Sequence, residues 1–439
     1  MSVRRIEFGL LILAIASTPF VPTAVKLDWF YVSPAIPLLF LLLFVGLVHI
    51  SFRDKKVIFP PFQAIWPLLG LFAMACISEI ASISAWPDYL QTEVHRAPIL
   101  VDELVGIVEF SLPILIVFVV SVALSQRDKW ITYILHANFF IAIIAAGLIL
   151  FRYRSIGADV YAFRYASPSI YWMPLEALAQ ILGLGCIIGY AHTLCAPTWR
   201  KRIWYAIPTG LCLLSLYLSL ENSWWLEVGL AFVVITAAYQ LRLFLWYGLA
   251  GVPILPLIPT FLAKLQSLKQ DDLNRLIIWQ DMFRIWGKRP LLGVGPGNVW
   301  VYDKISSHLP QGLRDIDKSG LGVAHEGFIQ TLTELGPIGL FFQLSFIVVM
   351  AITSLNLFRR SKETGNHLDS ILGLVGLGLI CGGAAGDITS SYFFLPPRQA
   401  LHVVNVPMVM MHWIIYGCVI YRSQIWRLVR KGVLNSNGE

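Results

Sequence analysis

Ala324-His325-Glu326-Gly327-Phe328-Ile329-Gln330-Thr331-Leu332-Thr333-Glu334-Leu335-Gly336-Pro337-Ile338-Gly339 is where a polar stretch of the chain re-enters apolar sequence. Upstream of it, residues 264–325 form a polar island that runs from Lys264 through Gly293-Val294-Gly295-Pro296-Gly297 to His325. Long apolar runs flank the island on both sides. A histidine placed where a long loop meets an apolar span points to chemistry as well as packing.

Composition sets the class around this stretch. The chain is 57% hydrophobic and only 13% charged, and its mean hydropathy is +0.70. A soluble domain is about one quarter charged. About twelve apolar runs, near 6–25, 29–50, 62–85, 103–125, 130–151, 171–193, 203–220, 223–241, 243–263, 326–356, 368–386 and 401–421, approach the roughly 20 residues that cross a bilayer. The expected fold is an all-α polytopic membrane protein of about 12 transmembrane helices with one large extracytoplasmic loop containing short helices. Residues 1–263 would hold the first nine helices, 264–325 the loop, and 326–439 the last three helices and a tail.

Basic residues orient these spans, because cytoplasmic loops are enriched in Lys and Arg. Arg4 and Arg5 precede the first span, and every second connection is then short and basic. These connections carry Arg53-Asp54-Lys55-Lys56, Arg127-Asp128-Lys129, Arg200-Lys201-Arg202, Arg242 and Arg359-Arg360-Ser361-Lys362. The tail adds Arg422, Arg427, Arg430 and Lys431. The alternation puts both termini in the cytoplasm and the long polar loop outside. The first span has a basic start but no Ala-x-Ala site before the next span, so it reads as a span and not a cleaved signal.

Several classes are disfavoured. The net charge of +7 comes without a long basic tract or a soluble basic domain, so nucleic acid is not an expected partner. The six cysteines, at 76, 186, 195, 212, 381 and 418, lie in or beside apolar spans without a C-x-x-C pair. They suggest neither a metal site nor a disulfide framework.

The outer connections are chemically richer than the inner ones. After the fifth span come Phe151-Arg152-Tyr153-Arg154 and Tyr161-Ala162-Phe163-Arg164-Tyr165. Arginine offers a bidentate fork to phosphate oxygens, and tyrosines stack on sugar faces. An interfacial aromatic and basic belt would have the same composition. In the long loop, Asp271 or Asp272 can cap a helix over Leu273–Trp286. Arg275, Trp279, Met282 and Trp286 fall on one face of it, as in a helix lying on the outer leaflet. Arg275 is then either a snorkelling anchor or a cation placed for a lipid-linked phosphate. The glycines of 287–297 lack a βαβ setting and a Gly-Lys-Ser/Thr ending, so a tight turn is expected there and not a nucleotide loop.

His325 would stand at a helix N-terminus, which favours the neutral imidazole. A neutral imidazole can take a proton from an attacking hydroxyl. Glu326 and Glu334 are the nearby carboxylates, and Glu334 lies inside the span, where a charge needs a partner or solvent. A structural salt bridge and a catalytic role are both open for it.

The order of these pieces resembles the O-antigen ligase / Wzy-type O-antigen polymerase superfamily of membrane glycosyltransferases. The matching residues are Arg275-x3-Trp279, then Arg289-Pro290-Leu291-Leu292-Gly293-Val294-Gly295-Pro296-Gly297-Asn298, then His325-x2-Phe328-x2-Thr331-x2-Glu334-Leu335-Gly336-x2-Gly339-Leu340. The strong match covers about 270–345, within a family-like core of about 205–345. The resemblance implies transfer of a glycan from a polyprenyl-diphosphate carrier to an acceptor hydroxyl on the outer face of a bacterial inner membrane. The acceptor would be lipid A-core, a growing polysaccharide or a protein. It implies no nucleotide sugar, no cofactor and no obligate metal. His325 would activate the acceptor, and Arg275 and Arg289 would hold the diphosphate. Arg164 and Arg154 match only through their loop. Glu326 and Glu334 would support the site.

Two departures stand out. Members of this superfamily usually show His-Asn where this chain has His325-Glu326, and many carry a Ser-Arg pair where this chain reads Glu221-Asn222-Ser223-Trp224-Trp225. One diphosphate contact is therefore absent or supplied by Arg152, Arg154 or Arg164. Twelve spans with both ends inside also fit a transporter or flippase of polysaccharide export. Transporters, however, concentrate polar residues near the midplane, whereas this chain gathers its charge outside. A non-catalytic assembly partner is the third reading.

Overall fold

In an apolar run the backbone must satisfy its own N–H and C=O groups, and the α-helix does so within one segment. The structure, a computed structural model, describes residues 3–17, 25–27, 30–32, 35–51, 58–83, 93–124, 129–156, 169–170, 173–243, 276, 278–299, 326–388 and 406–433. Among these the helices are α1 (Val3–Ser17), α2 (Ala35–Ser51), α3 (Phe62–Ile83), α4 (Glu93–Leu124) and α5 (Lys129–Ile156). They continue with α6 (Leu175–Cys195), α7 (Trp199–Ser219), α8 (Asn222–Tyr239), α9 (Gly327–Thr364), α10 (His367–Gly386) and α11 (Val406–Arg430). A short helical stretch covers 278–288.

Eleven of the expected spans each coincide with a helix, including the closely spaced pair now seen as α7 and α8. Between that pair the chain reverses through Leu220, whose φ is 52°. The expected span at 243–263 falls almost wholly outside the described residues. Five helical segments have the length and apolarity to cross a bilayer: Phe62–Ile83, Lys129–Ile156, Leu178–Cys195, Gly327–Thr364 and His367–Gly386.

The structure departs from a purely helical chain at two places. Val25–Leu27 pairs antiparallel with Phe30–Val32 as β1 and β2, and Ser169–Ile170 pairs with Met173–Pro174 as β3 and β4. β-branched and aromatic residues flank the first turn, so a hairpin is favoured there over one more helical turn. The first two helices are accordingly shorter than their apolar runs, at 15 and 17 residues.

α10 and α6 are central. Their most apolar windows are 78% buried, against 28% for α9. α10 packs on α9 and α8, α6 on α7 and α5, α9 also on α3, and α11 on α4. α9 turns Phe341, Val348 and Ile352 outward at helical spacing. Such a continuous exposed apolar stripe belongs against lipid.

Among the described residues, several of the basic side chains tie helix ends together. Arg427 Nη1 donates to Gln63 Oε1 at 2.5 Å, joining the end of α11 to the start of α3. Lys362 Nζ, near the end of α9, donates to the Tyr239 carbonyl at the end of α8 at 3.1 Å. Arg422 Nε donates to Asp369 Oδ1 at 2.5 Å, and Trp426 Nε1 to Asp369 Oδ2 at 2.8 Å. The loop residues 278–299 and the start of α9 lie at the opposite end of the bundle.

Candidate functional site

The site is built on a broken helix. Glu326 is the N-cap of α9, and its side chain accepts from the Ile329 N–H. Nine residues after the start of α9, Gly336 takes φ 71° and ψ −176°, and Pro337 follows. In a continuous helix the carbonyls of Thr333 and Glu334 would accept from residues 337 and 338. Pro337 has no N–H, and the break at Gly336 swings the chain away, so both carbonyls need other donors.

The glycine turn supplies them. Val294 N–H donates to the Thr333 carbonyl at 3.0 Å, and Gly295 N–H to the Glu334 carbonyl at 2.9 Å. Ser78 of α3 adds its hydroxyl to the Glu334 carbonyl at 2.7 Å. The turn and the broken helix thus approach backbone to backbone. A Cβ on Gly336 would lie 2.2 Å from the Leu291 oxygen, and a Cβ on Gly293 would lie 2.3 Å from the Glu334 carbonyl. Gly293 also has φ 73°, a conformation that glycine adopts without steric penalty.

The turn is closed on itself and pinned from the far side. Arg289 N–H donates to the Trp286 carbonyl at 2.8 Å, and the Arg289 carbonyl accepts from Gly293 at 2.9 Å. Asn298 Nδ2 donates to Glu79 Oε2 at 3.0 Å and to Oε1 at 3.3 Å, with both residues fully buried. Helix 278–288 packs its Met282 and Ile285 inward. Of the four residues expected on one face, Met282 is buried and Trp279 and Trp286 are half-buried. Trp286 Nε1 donates to the Pro290 carbonyl at 3.0 Å, so this indole supports the turn.

The start of α9 is held by α10. Gly327 N–H donates to the Asp387 carbonyl at 2.7 Å, and Gln343 Nε2, past the break, donates to Asp387 Oδ2 at 3.2 Å. Asp387 therefore touches both segments of α9. Glu334 is buried, and its carboxylate accepts from Gln330. Glu326 is buried as well, and burial raises its carboxyl above the ordinary 4.5, while the N–H groups of Ile329 and Phe328 oppose that rise.

Among the residues expected from sequence, the structure brings together Glu326, Glu334 and the turn that contains Arg289. The Arg289 side chain is half-buried, and its backbone closes the turn. Arg154 is exposed in the last turn of α5. His325, Arg275 and Arg164 lie outside the described residues. Residues 207–344 match the family model described as O-Antigen ligase. The matched segment begins within α7, contains the glycine turn, and ends in α9 just beyond the break. Comparison with curated proteins gives no match.

Side chains from outside the matched segment complete its contacts. Ser78 and Glu79 come from α3 and Asp387 from α10, and sequence reasoning gave Ser78 and Asn298 no role. The signal for Glu79 and Asp387 was their charge within or beside apolar sequence. Nothing comparable marks Ser78. The pair Glu227 and His412, on α8 and α11, was also passed over, although each is an ionisable residue inside an apolar run.

Proposed function

We propose that this protein transfers a glycan from a polyprenyl-diphosphate carrier to an acceptor hydroxyl at the extracytoplasmic face of a bacterial inner membrane. The observation that carries the reading is the docking of the glycine turn onto the broken start of α9, within the matched segment and opposite the basic end. That arrangement gives the loop a fixed seat on the first turns of α9, the helix that follows His325 in sequence. The acceptor is lipid A-core or a growing polysaccharide.

In this reading the acceptor oxygen bonds to the anomeric carbon as the bond from that carbon to the diphosphate oxygen breaks. The hydroxyl proton goes to His325, acting as general base. The negative charge that grows on the departing diphosphate is met by Arg275 and Arg289, with Arg154 and Arg164 as further cations of the same face. A single displacement of this kind inverts the anomeric centre. Glu326 caps the helix that follows the base in sequence, and Glu334 anchors the turn through its carbonyl. The alternation of basic connections along the sequence supports a loop on the outer face, where such a donor is presented.

The test uses purified protein in lipid nanodiscs with a polyprenyl-diphosphate oligosaccharide and each acceptor in turn. His325→Ala is expected to lower transfer by at least about 100-fold, and Arg275→Ala or Arg289→Ala by about 10- to 100-fold. Transfer unchanged in His325→Ala removes the base assignment. Absence of transfer to every acceptor, together with movement of the donor across liposomes, replaces the reading with a transporter.

A further inference from the structure

Where α6, α8 and α9 end and α10 begins, the helices leave a cavity of about 410 Å³. Ligand pockets span about 300–1,000 Å³. Lys362 and His367 line the cavity, with Gln240, Ser370, Tyr239 and Phe358. None of the described residues around it carries a carboxylate. Lys362 is held in place there. Its Nζ donates to the Tyr239 carbonyl at 3.1 Å and lies 4.5 Å from the centre of the Phe358 ring.

Two more cations stand close by. Lys201 of α7 lies within electrostatic range of His367, and Arg202 and Lys362 both lie within range of Cys195, which also borders the cavity. Arg202 is anchored through its Nε, which donates to the Ala196 carbonyl at 3.1 Å. Among the described residues, no carboxylate forms an ion pair with Lys201, Arg202 or Lys362. Asp369, two residues after His367, is committed to Arg422 and Trp426, and Glu363, beside Lys362, is exposed. We propose that this cavity binds the phosphate of an anionic phospholipid headgroup, held by Lys362 and His367 with Lys201 and Arg202 around it. Lysine binds phosphate as a point charge. An ammonium has three N–H donors, of which the Tyr239 carbonyl takes one, and an imidazole donates an N–H in either charge state. An anion between these groups also offsets the repulsion among like charges that have no carboxylate to pair with.

Depth in the bilayer selects the source of the phosphate. Trp199 and Trp204 flank Lys201 and Arg202 in the first turns of α7 and are 72% and 77% exposed. Indoles exposed at a helix end sit at the level of the lipid headgroups. Ile207, further along α7, and Leu241, next to Gln240, are exposed as well and extend an apolar surface away from the cations. A basic pocket between helices at headgroup level suits an anionic lipid, whose acyl chains then lie along that surface. A free phosphate would need neither the indoles nor the apolar flank. In the orientation read from the basic connections, the leaflet is the inner one. A lipid bound there joins the ends of α8 and α9 to the start of α10, and a ligand of the folded state stabilises it. The site does not depend on the glycan-transfer reading.

The test uses the full chain, purified in a neutral detergent. Its unfolding midpoint is followed while phosphatidylglycerol, phosphatidylcholine or inorganic phosphate is added. Phosphatidylglycerol is expected to raise the midpoint saturably, and the other two to leave it nearly unchanged. Lys362→Gln and Lys201→Gln are each expected to raise the apparent Kd for phosphatidylglycerol by about 5-fold, as for one cation lost beside an anionic headgroup. The double variant Lys362→Gln/His367→Ala is expected to abolish the saturable rise. Arg430 is an exposed cation in the last turn of α11, and Arg430→Gln is expected to change the Kd by less than about 2-fold, because the attraction falls off within a Debye length. A Kd unchanged in both Lys362→Gln and Lys201→Gln overturns the site. So does a loss in Arg430→Gln as large as theirs, which would mean a diffuse basic surface. A rise with phosphatidylcholine equal to that with phosphatidylglycerol overturns the headgroup charge, and an equal rise with inorganic phosphate overturns the lipid as the source. Lys201, whose side chain is exposed, decides the matter should Lys362→Gln not fold.

Discussion

At the basic end, Asp369 is buried against the Arg422 guanidinium at 2.5 Å and the Trp426 indole at 2.8 Å. At the opposite end, Glu79 meets the Asn298 amide, Glu334 the Gln330 amide, and Asp387 the Gln343 amide. The first end closes a charge with a charge. The second arranges carboxylates around backbone that has been opened by Gly336 and Pro337 and resealed by the glycine turn. An ion pair locks two helix ends with little regard for the backbone path between them. The glycine-turn seat depends on the backbone itself, since two of its three bonds to the freed carbonyls come from main-chain N–H groups. The difference is between an end tied by an ion pair and an end whose backbone is opened and then resealed.

The sharpest way to break that comparison is Arg422→Ala. It leaves Asp369, 0% exposed, without its cation. Breaking a buried pair from one side costs about 3–5 kcal/mol. The expected result is a large drop in the unfolding midpoint in detergent, with glycan transfer per folded molecule close to that of the wild type. Replacing both partners together, as Arg422→Met/Asp369→Leu, is expected to restore most of the stability, because the uncompensated charge is then gone. A transfer defect as large as the stability defect would show that the two ends are not separate in function.

Gly336→Ala is the counterpart at the opposite end. The new Cβ would fall on the Leu291 carbonyl, and the residue would keep a φ of 71°. Strained backbone of this kind costs about 1–3 kcal/mol, and the contact with the Leu291 carbonyl adds to it. Transfer is expected to fall by at least about 100-fold, since a displacement of about 1 Å at a reacting centre is enough for that. Stability is read by the unfolding midpoint and transfer by the carrier assay. Near-normal transfer in this variant would mean that the docked turn is not part of the working site.

The positions of the helices were legible in the sequence, because an apolar run of bilayer length has few other ways to satisfy its backbone. The turn was legible too: Gly293, Gly295 and Gly297 beside Pro290 and Pro296 announce reversed chain and positive φ. What the turn rests on was not. Its partners are carbonyls exposed by a break about 40 residues later in the chain, and Gly336-Pro337 read alone marks only a kink. Ser78 contributes a hydroxyl from 256 residues away, and serine is common in membrane helices. Glu227 and His412 each looked like a single polar interruption of an apolar run. They meet across the bundle, His412 Nε2 to Glu227 Oε1 at 3.5 Å, which periodicity does not encode. His325, Arg275 and Arg164 lie outside the described residues, so their roles still rest on order and spacing in the chain.

The smallest expected effect concerns Glu326 and sharpens the contrast between paired and unpaired charge. Its folded-state proton affinity lies above the ordinary carboxylate value of 4.5, first because of burial. A carboxyl whose pKa is raised on folding takes up protons as the chain folds. Below the ordinary value both states are protonated, and its contribution to stability is whole. As pH rises from 4.5 through the folded-state pKa, the unfolded chain ionises first, and that contribution is lost. Glu326→Gln keeps a side-chain oxygen for the Ile329 N–H but cannot ionise. The wild-type unfolding midpoint should therefore decline over that window, and the variant's should decline less. A steeper decline in Glu326→Gln would mean that the carboxylate, rather than the neutral acid, is the form the helix start prefers. The start of α9 would then be held by charge, as the basic end is.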